Sequence, residues 1–382
     1  MYLAAALKKD GHEVRVTPTS PRGEFITFKP DLVGYSVMTG SQNQFFEIDR
    51  ELQKEGKHPT IWGGPHPTFF PEMETDGVIF RGECEESLPV FLKCGIMDEI
   101  GYIENIDSLE WPDRSVIPHG KVEYFITSRG CPFDCSYCFN QKWSELHGKK
   151  RVRFRDVADV VAEVKTVNPE FVHFQDDSFG IQGDWLANFA KIYPKIPFHC
   201  HLRPNTVTER MIRLLKESGV YSVRVGFETA SQSLRNDVLN RGISFEQTDY
   251  CIELLKKYEI PFMIQNMIGI PGGKIQDDLE TMKANIKWEP DYAWCSIYQP
   301  YPGTELERKC REWNLYDGKE LSPSFFDQTH LNFDDRYKEQ LRVLQKIFGA
   351  MVNGKYSNQL ADVFTNYKLE AENRLFGFDL EG

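Results

Sequence analysis

The chain has 382 residues, 41% hydrophobic and 27% charged, enough for one large or two ordinary domains with a sizeable core. Lys plus Arg number 45 against 57 Asp plus Glu, and the formal charge of −12 argues against a general affinity for nucleic-acid phosphates. No apolar run reaches the roughly 18 residues that a membrane-spanning helix needs.

Residues 1–95 alternate helix and strand signals. "YLAAALKKDG" predicts a short helix ending at Gly11, and "EVRVTP" a strand. "PDLVGYSVM" predicts a buried strand, "SQNQFFEIDRELQKEG" an amphipathic helix stopping at Gly56, and "PTIWGG" and "VIFRG" two more strands before a helical "EESLPVFLK". Such alternation points to a Rossmann-like parallel sheet. A Rossmann-like unit opens on a strand, whereas this chain opens on a helix, so the usual first strand is expected to be missing. The opening "MYLAAALKKDGHEV" carries no basic leader and no cleavage site, and does not read as a secretory signal. Residues 96–122 read as a connector.

From residue 123 to 303 the alternation is regular. Strand-like runs are "VEYFITSRG", "FVHFQDDSF", "PFHCHLRPN", "YSVRVGFET", "PFMIQNMIG" and "YAWCSIYQP". Helical runs lie between them, such as "RDVADVVAEVKTV", with Val157, Val160, Val161 and Val164 at helical spacing. Eight strand–helix units would close a full barrel; six predict a partial (β/α)6 TIM-like barrel with its chemistry at the C-terminal strand ends. The basic run "GKKRVRFR" (148–155) reads as a solvated loop before a helix. Residues 304–382 read as a mixed, partly helical extension without a motif.

Nine cysteines, an odd and mostly scattered set, do not suggest a disulfide scaffold. Cys84, Cys94, Cys200, Cys251, Cys295 and Cys310 read as single thiols, and a reducing, cytoplasmic setting is expected. The exception is "SRGCPFDCSYCFN", where Cys131, Cys135 and Cys138 form C-x3-C-x2-C. A structural zinc site would want a fourth ligand, from His147, Cys84 or elsewhere, and paired knuckles. A redox pair of Cys135 and Cys138 leaves Cys131 unexplained. An iron–sulfur cubane held by three thiolates would leave one iron open to a small molecule.

C-x3-C-x2-C at the end of the first strand of a six-unit barrel resembles the radical S-adenosylmethionine (radical SAM) superfamily. The resemblance spans roughly residues 120 to 305 and continues strand by strand. It implies a [4Fe-4S] cluster on Cys131, Cys135 and Cys138, with Tyr137 packing near the SAM adenine. "FQDDSF" stands where the family holds the methionine amino group, which implicates Gln175, Asp176 and Asp177, although the commoner form there is Gly-Gly-Glu. "HLRPN" puts Arg203 at the third strand end, "GFETAS" puts Glu228 at the fourth, and "MIGIPGG" resembles a turn near the adenine. "QPYPGTEL" closes the sixth strand, where Tyr298 and Tyr301 are candidate catalytic residues by position alone. Read singly, each match has a plainer meaning: an Arg203–Glu228 salt bridge inside the barrel, an ordinary glycine turn, or carboxylates capping a helix.

A Rossmann-like domain ahead of such a barrel resembles the cobalamin-binding branch. That implies cobalamin contacts from Ser36, Thr39, Gly63, Gly64, Gly82 and Glu83. "DGHEVR" superficially fits the D-x-H-x-x-G of cobalamin mutases, but Arg15 stands where the glycine should, so His12 reads as a turn residue, and His66 is a weaker axial alternative. The resemblance implies an enzyme that cleaves SAM to a 5′-deoxyadenosyl radical for C–H activation, most often in cobalamin-dependent methyl transfer to an unactivated carbon. It further implies a small-molecule or peptide substrate and an external one-electron reductant, with no membrane partner. Two alternatives stay open: a cobalamin-independent radical SAM enzyme with a degenerate N-terminal domain, and a non-catalytic iron–sulfur or zinc protein.

Overall fold

The computed structural model describes residues 1–17, 21–97, 99–117, 120–148, 152–318 and 324–353. The end of the predicted C-terminal extension, from 354, and residues 149–151 of the basic run lie outside the described residues. The chain divides into two compact units, one of residues 1–123, 128–132 and 142–169, the other of 124–127, 133–141 and 170 onward.

In the first unit, strands β1 (Val33–Ser36), β2 (Thr60–Gly63) and β3 (Val78–Ile79) form a parallel sheet in the order β1-β2-β3. The middle strand "TIWG" is apolar because both of its faces are covered. Ile61 packs with Phe80, Cys84 and Leu88 on one side, and Trp62 packs with Tyr35 and Val37 on the other. Helices Tyr2–Lys9, Gln42–Glu55 and Ser87–Cys94 stand where the periodicity predicts them.

Two expectations are corrected in this unit. Residues 13–17 of "EVRVTP" form no strand; Val16 is 40% exposed and pairs with no strand among the described residues, so the V-x-V alternation had no sheet face to serve. Residues 152–155 of the basic run are not a solvated loop. Arg153, in β6 (Arg153–Phe154), pairs with Glu83 at 2.6 Å, and Arg155 pairs with Glu163 at 2.6 Å; both arginines are buried. Their i, i+2 spacing carries both inward, where carboxylates neutralise them. β6 pairs antiparallel with β5 (Ser128–Arg129). The helix Val157–Val167 buries the four predicted valines, capped by the Asp156 side chain, which accepts from Ala158 N and Asp159 N.

The second unit is built on a sheet of six strands in the order β11-β10-β9-β8-β7-β4, as the six predicted repeats require. These are β4 (Val122–Phe125), β7 (Phe171–Phe174), β8 (Phe198–Leu202), β9 (Val220–Glu228), β10 (Phe262–Ile268) and β11 (Tyr292–Ile297). From β7 to β11 all neighbours run parallel. Alternate residues bury Val172, Phe174, Phe198, Cys200, Val223 and Val225 under the helices, where Phe174, Phe179 and Phe189 interlock at ring separations of 4.9 to 5.7 Å. The final described helix, Asp335–Asn353, covers β11 with Leu341, Leu344 and Phe348.

Candidate functional site

The cysteine loop leaves β5 through Gly130, whose φ of +92° suits glycine. Ser136 pins its second half. Its N–H donates to Leu239 O at 3.1 Å, its hydroxyl donates to Val238 O at 2.6 Å, and its carbonyl accepts from Leu306 N at 2.8 Å. Cys138 N then donates to Cys135 O at 3.0 Å, closing a turn between the two cysteines. Cys135 is buried, Cys131 and Cys138 are partly exposed, and none of the three is in a disulfide.

Arg203 follows β8 and does not pair with Glu228. Its Nη1 lies 3.2 Å from Cys135 Sγ, its guanidinium stacks 3.8 Å over the Phe133 ring, and its Nη2 donates to the Arg241 carbonyl. The partner of Glu228 is Arg241, at 2.9 Å. The same Arg241 nitrogen donates to the Tyr137 hydroxyl at 2.5 Å, Nη2 donates to Gly226 O at 2.6 Å, and Tyr137 in turn donates to Glu228 at 3.2 Å. Cys135, Arg203, Arg241, Glu228 and Tyr137 thus form one connected network at the strand ends. Arg241 carries no motif and was not singled out in the sequence; the helix-breaking "NRG" was its one local signal. Burial pushes the Tyr137 phenol well above its ordinary pKa, with Arg241 opposing and Glu228 adding to the rise. Glu228 itself has φ of +72°, a conformation costing a non-glycine residue about 1–3 kcal/mol, beside a register shift between β9 and β10.

At the end of β7 the three candidates separate. Asp176 is buried and accepts from Thr127 N at 3.1 Å and Thr127 Oγ1 at 2.7 Å, so its carboxylate holds the chain after β4. Gln175 and Asp177 are exposed, and Asn140 hydrogen-bonds Asp177. Tyr298 is a core side chain, 2% exposed, with its hydroxyl 3.8 Å from Cys310 Sγ. Tyr301 is half-buried, its ring 6.0 Å from that of Phe139.

In the first unit, Ser36 is exposed at the end of β1, Thr39 follows it, and Gly63 ends β2. Gly64 has φ of +95°, and a Cβ there would lie 2.8 Å from Val37 N. It lets the turn after β2 close on Val37, so backbone rather than side chain lines that strand end. His66 is buried with Nδ1 3.4 Å from Thr39 Oγ1, while His12 is exposed in a turn. Gly82 and Glu83 serve the chain itself. A Cβ on Gly82 would meet Gly101 O at 2.2 Å, and Glu83 accepts from Arg129 at 3.1 Å, Arg153 at 2.6 Å and Ile103 N at 2.8 Å. Burial alone would raise the Glu83 pKa, but these bonds outweigh it and hold the carboxyl below its ordinary value.

The donor chemistry fits an iron–sulfur cluster: three thiols on one loop, one of them receiving a guanidinium N–H as thiolate ligands do. The ends of β1 and β2 carry small or polar residues, Ser36, Thr39 and Gly63, a lining that fits a large ligand approaching the backbone.

Comparison with known proteins gives two family matches. Residues 125–284 match the family model described as "Radical SAM superfamily", and residues 1–92 match that described as "B12 binding domain". An uncharacterised methyltransferase of Pyrococcus horikoshii is 26% identical, over 80% of this chain and 76% of its own length. The anaerobic magnesium-protoporphyrin IX monomethyl ester cyclase of Rubrivivax gelatinosus is 27% identical, over 80% of this chain and 64% of its own. Among solved structures, the radical S-adenosylmethionine methyltransferase TsrM from Kitasatospora setae, with cobalamin and a [4Fe-4S] cluster bound, superposes with a TM-score of 0.65 at 18% identity. That match covers 82% of this chain and 74% of that one, and the likeness is one of fold.

Proposed function

The chain belongs to the radical SAM superfamily and carries a B12-binding domain, and we propose that it is a cobalamin-dependent enzyme transferring a methyl group to an unactivated carbon. When bound, the cluster with SAM supplies a 5′-deoxyadenosyl radical that removes hydrogen, and cobalamin supplies a methyl carrier. In this reading Cys131, Cys135 and Cys138 hold the cluster. Arg203 orients Cys135, while Tyr137 and Glu228, fixed by Arg241, face SAM together with Gln175 and Asp177. Asp176 is a positioning residue acting through Thr127. Residues 1–95 form the cobalamin domain, 96–122 the connector and 123–303 the barrel, with an extension from 304. The substrate is a small molecule, and an external one-electron reductant feeds the cluster.

The observation that carries this reading is the network from Cys135 through Arg203 and Arg241 to Glu228 and Tyr137, which ties a cluster ligand to two expected SAM contacts. The test is anaerobic purification with iron, sulfide, zinc and cobalt analysis, followed by SAM and reductant. Iron and sulfide near four per chain, bound cobalamin and release of 5′-deoxyadenosine are expected. Zinc at one per chain without sulfide would sink the enzyme assignment.

A cobalamin-independent enzyme is the second reading. It is favoured by Gly82 and Glu83, whose fit to their own chain leaves them no free contact for a corrin. An intact cluster with no cobalamin uptake selects it.

A further inference from the structure

The helix-distant face of the second unit's sheet carries a polar cluster that the proposed function does not use. The residues that alternate with the buried Val172, Phe198, Cys200 and Val223 are His173 on β7, His199 and His201 on β8, and Ser222 and Arg224 on β9. Strand alternation therefore places all five side chains on one face of three adjacent strands. One ring nitrogen of each histidine lies within 4.8 Å of the other two. The His173 and His199 rings are 4.7 Å apart, and Tyr124 of β4 adds its ring 5.4 Å from His173.

Three nitrogens in this cluster are shielded from solvent and have no hydrogen-bond partner among the described residues: His173 Nε2, His199 Nε2 and Arg224 Nε. His199 is 9% exposed. Each buried, unsatisfied polar group costs about 1–3 kcal/mol, so three on neighbouring strands mark a place that calls for partners from outside the chain. Arg224 forms no ion pair among the described residues; its Nη1 lies 3.4 Å from His201 Nε2, so a neutral imidazole takes the place of a carboxylate.

The chemistry of the orphans selects the ligand. A guanidinium Nε–H can only donate, so its missing partner is an acceptor. Ser222 Oγ is 2.7 Å from His199 Nδ1, a contact that serves either imidazole tautomer; an acceptor bound beside Arg224 selects the one with the proton on His199 Nε2, which then donates as well. A metal ion would leave Arg224 Nε unsatisfied and would face its positive charge. An oxyanion satisfies both groups with its several lone pairs and neutralises the guanidinium. Burial, then the neighbouring imidazoles and Arg224, push His199 down to about 3; burial and the Arg224 charge push His173 and His201 down to about 4. The cluster's charge at neutral pH therefore rests on Arg224, which supports the same choice.

We propose that Arg224, His199 and His173 form an oxyanion-recognition site on the helix-distant face of the barrel sheet, which takes a carboxylate or phosphate group of the substrate. Assigning the oxyanion to the substrate rests on the function proposed above; the site itself does not.

The anaerobically reconstituted full chain is titrated with sodium phosphate, sodium acetate and zinc chloride, against sodium chloride at matched ionic strength, by calorimetry and thermal melting. Saturable binding of phosphate or acetate is expected, and whichever binds more tightly names the group. Arg224→Gln should weaken that binding roughly 10- to 100-fold, the loss of a charge-assisted bond. Should that variant not fold, Arg224→Lys, which keeps the charge and removes Nε–H, is measured in its place with weakening in the same direction expected. Oxyanion responses no greater than chloride, binding unchanged in the variant, or saturable zinc binding without oxyanion binding would each overturn the site. SAM cleavage is read in parallel. Its absence with oxyanion binding intact would sink the catalytic assignment and leave the site standing.

Discussion

Arg241 Nη1 lies 2.9 Å from Glu228 Oε1 and 2.5 Å from the Tyr137 hydroxyl, so a single guanidinium nitrogen fixes two side chains from different parts of the barrel mouth. Arg241 is 6% exposed, and removing one partner of such a buried pair costs about 3–5 kcal/mol because the other charge is stranded. Arg241→Met should therefore lower the melting temperature and weaken SAM binding at least tenfold. SAM affinity measured by equilibrium dialysis on the reconstituted protein decides it; unchanged affinity would remove Glu228 and Tyr137 from the SAM site.

The Arg203–Cys135 contact makes a redox prediction. Hydrogen bonds to cluster sulfurs stabilise the reduced, more negative state. Arg203→Met should thus leave the iron content near wild type and shift the reduction potential downward, as read by an EPR-monitored titration. Cys135→Ala should abolish both cluster incorporation and 5′-deoxyadenosine release. An Arg203→Met protein with an unshifted potential would reduce Arg203 to a packing residue over Phe133.

Asp278 predicts a pH dependence of stability. It is fully buried, accepts from Gly269 N at 3.1 Å and Tyr337 Oη at 2.6 Å, and burial raises its pKa to about 7 against an ordinary 3.8. The folded state therefore holds a proton that the unfolded state has released, and this group's contribution falls as pH rises from about 4 to about 7. Asp278→Asn keeps the shape without the titration. Urea unfolding at pH 5 and pH 7.5 should show wild type losing more stability than Asp278→Asn; parallel losses would refute it.

The cobalamin domain separates ligand contacts from internal packing. Ser36→Tyr, at an exposed strand end, should block cobalamin uptake with little change in melting temperature. Gly82→Ala forces a Cβ against Gly101 O at a positive φ, and should destabilise the protein by about 1–3 kcal/mol. Cobalt content and melting curves of both variants test this; cobalamin uptake by Ser36→Tyr equal to wild type would exclude Ser36 as a contact.

Much of this architecture was legible in the chain because it is local. The valines at 157, 160, 161 and 164 announce a helix, and the six strand-like runs announce six strands, since periods of 3.6 and 2 are properties of neighbouring residues. The cysteine motif was legible for the same reason. "EVRVTP" misled because alternation needs a sheet partner to become a strand, and the basic run misled because its carboxylates, Glu83 and Glu163, stand 70 and 8 residues from the arginines they neutralise.

The sequence by itself determined the six repeated strand runs and the three-thiol loop, both carried by spacing along the backbone. Only the tertiary structure decided that Glu228 pairs with Arg241 rather than Arg203, that Asp176 is spent on Thr127, and that three histidines and Arg224 meet on one sheet face. Those partners are set by which strands lie side by side and which face each residue takes. That order follows from burying the apolar face of the whole sheet, and no local pattern encodes it.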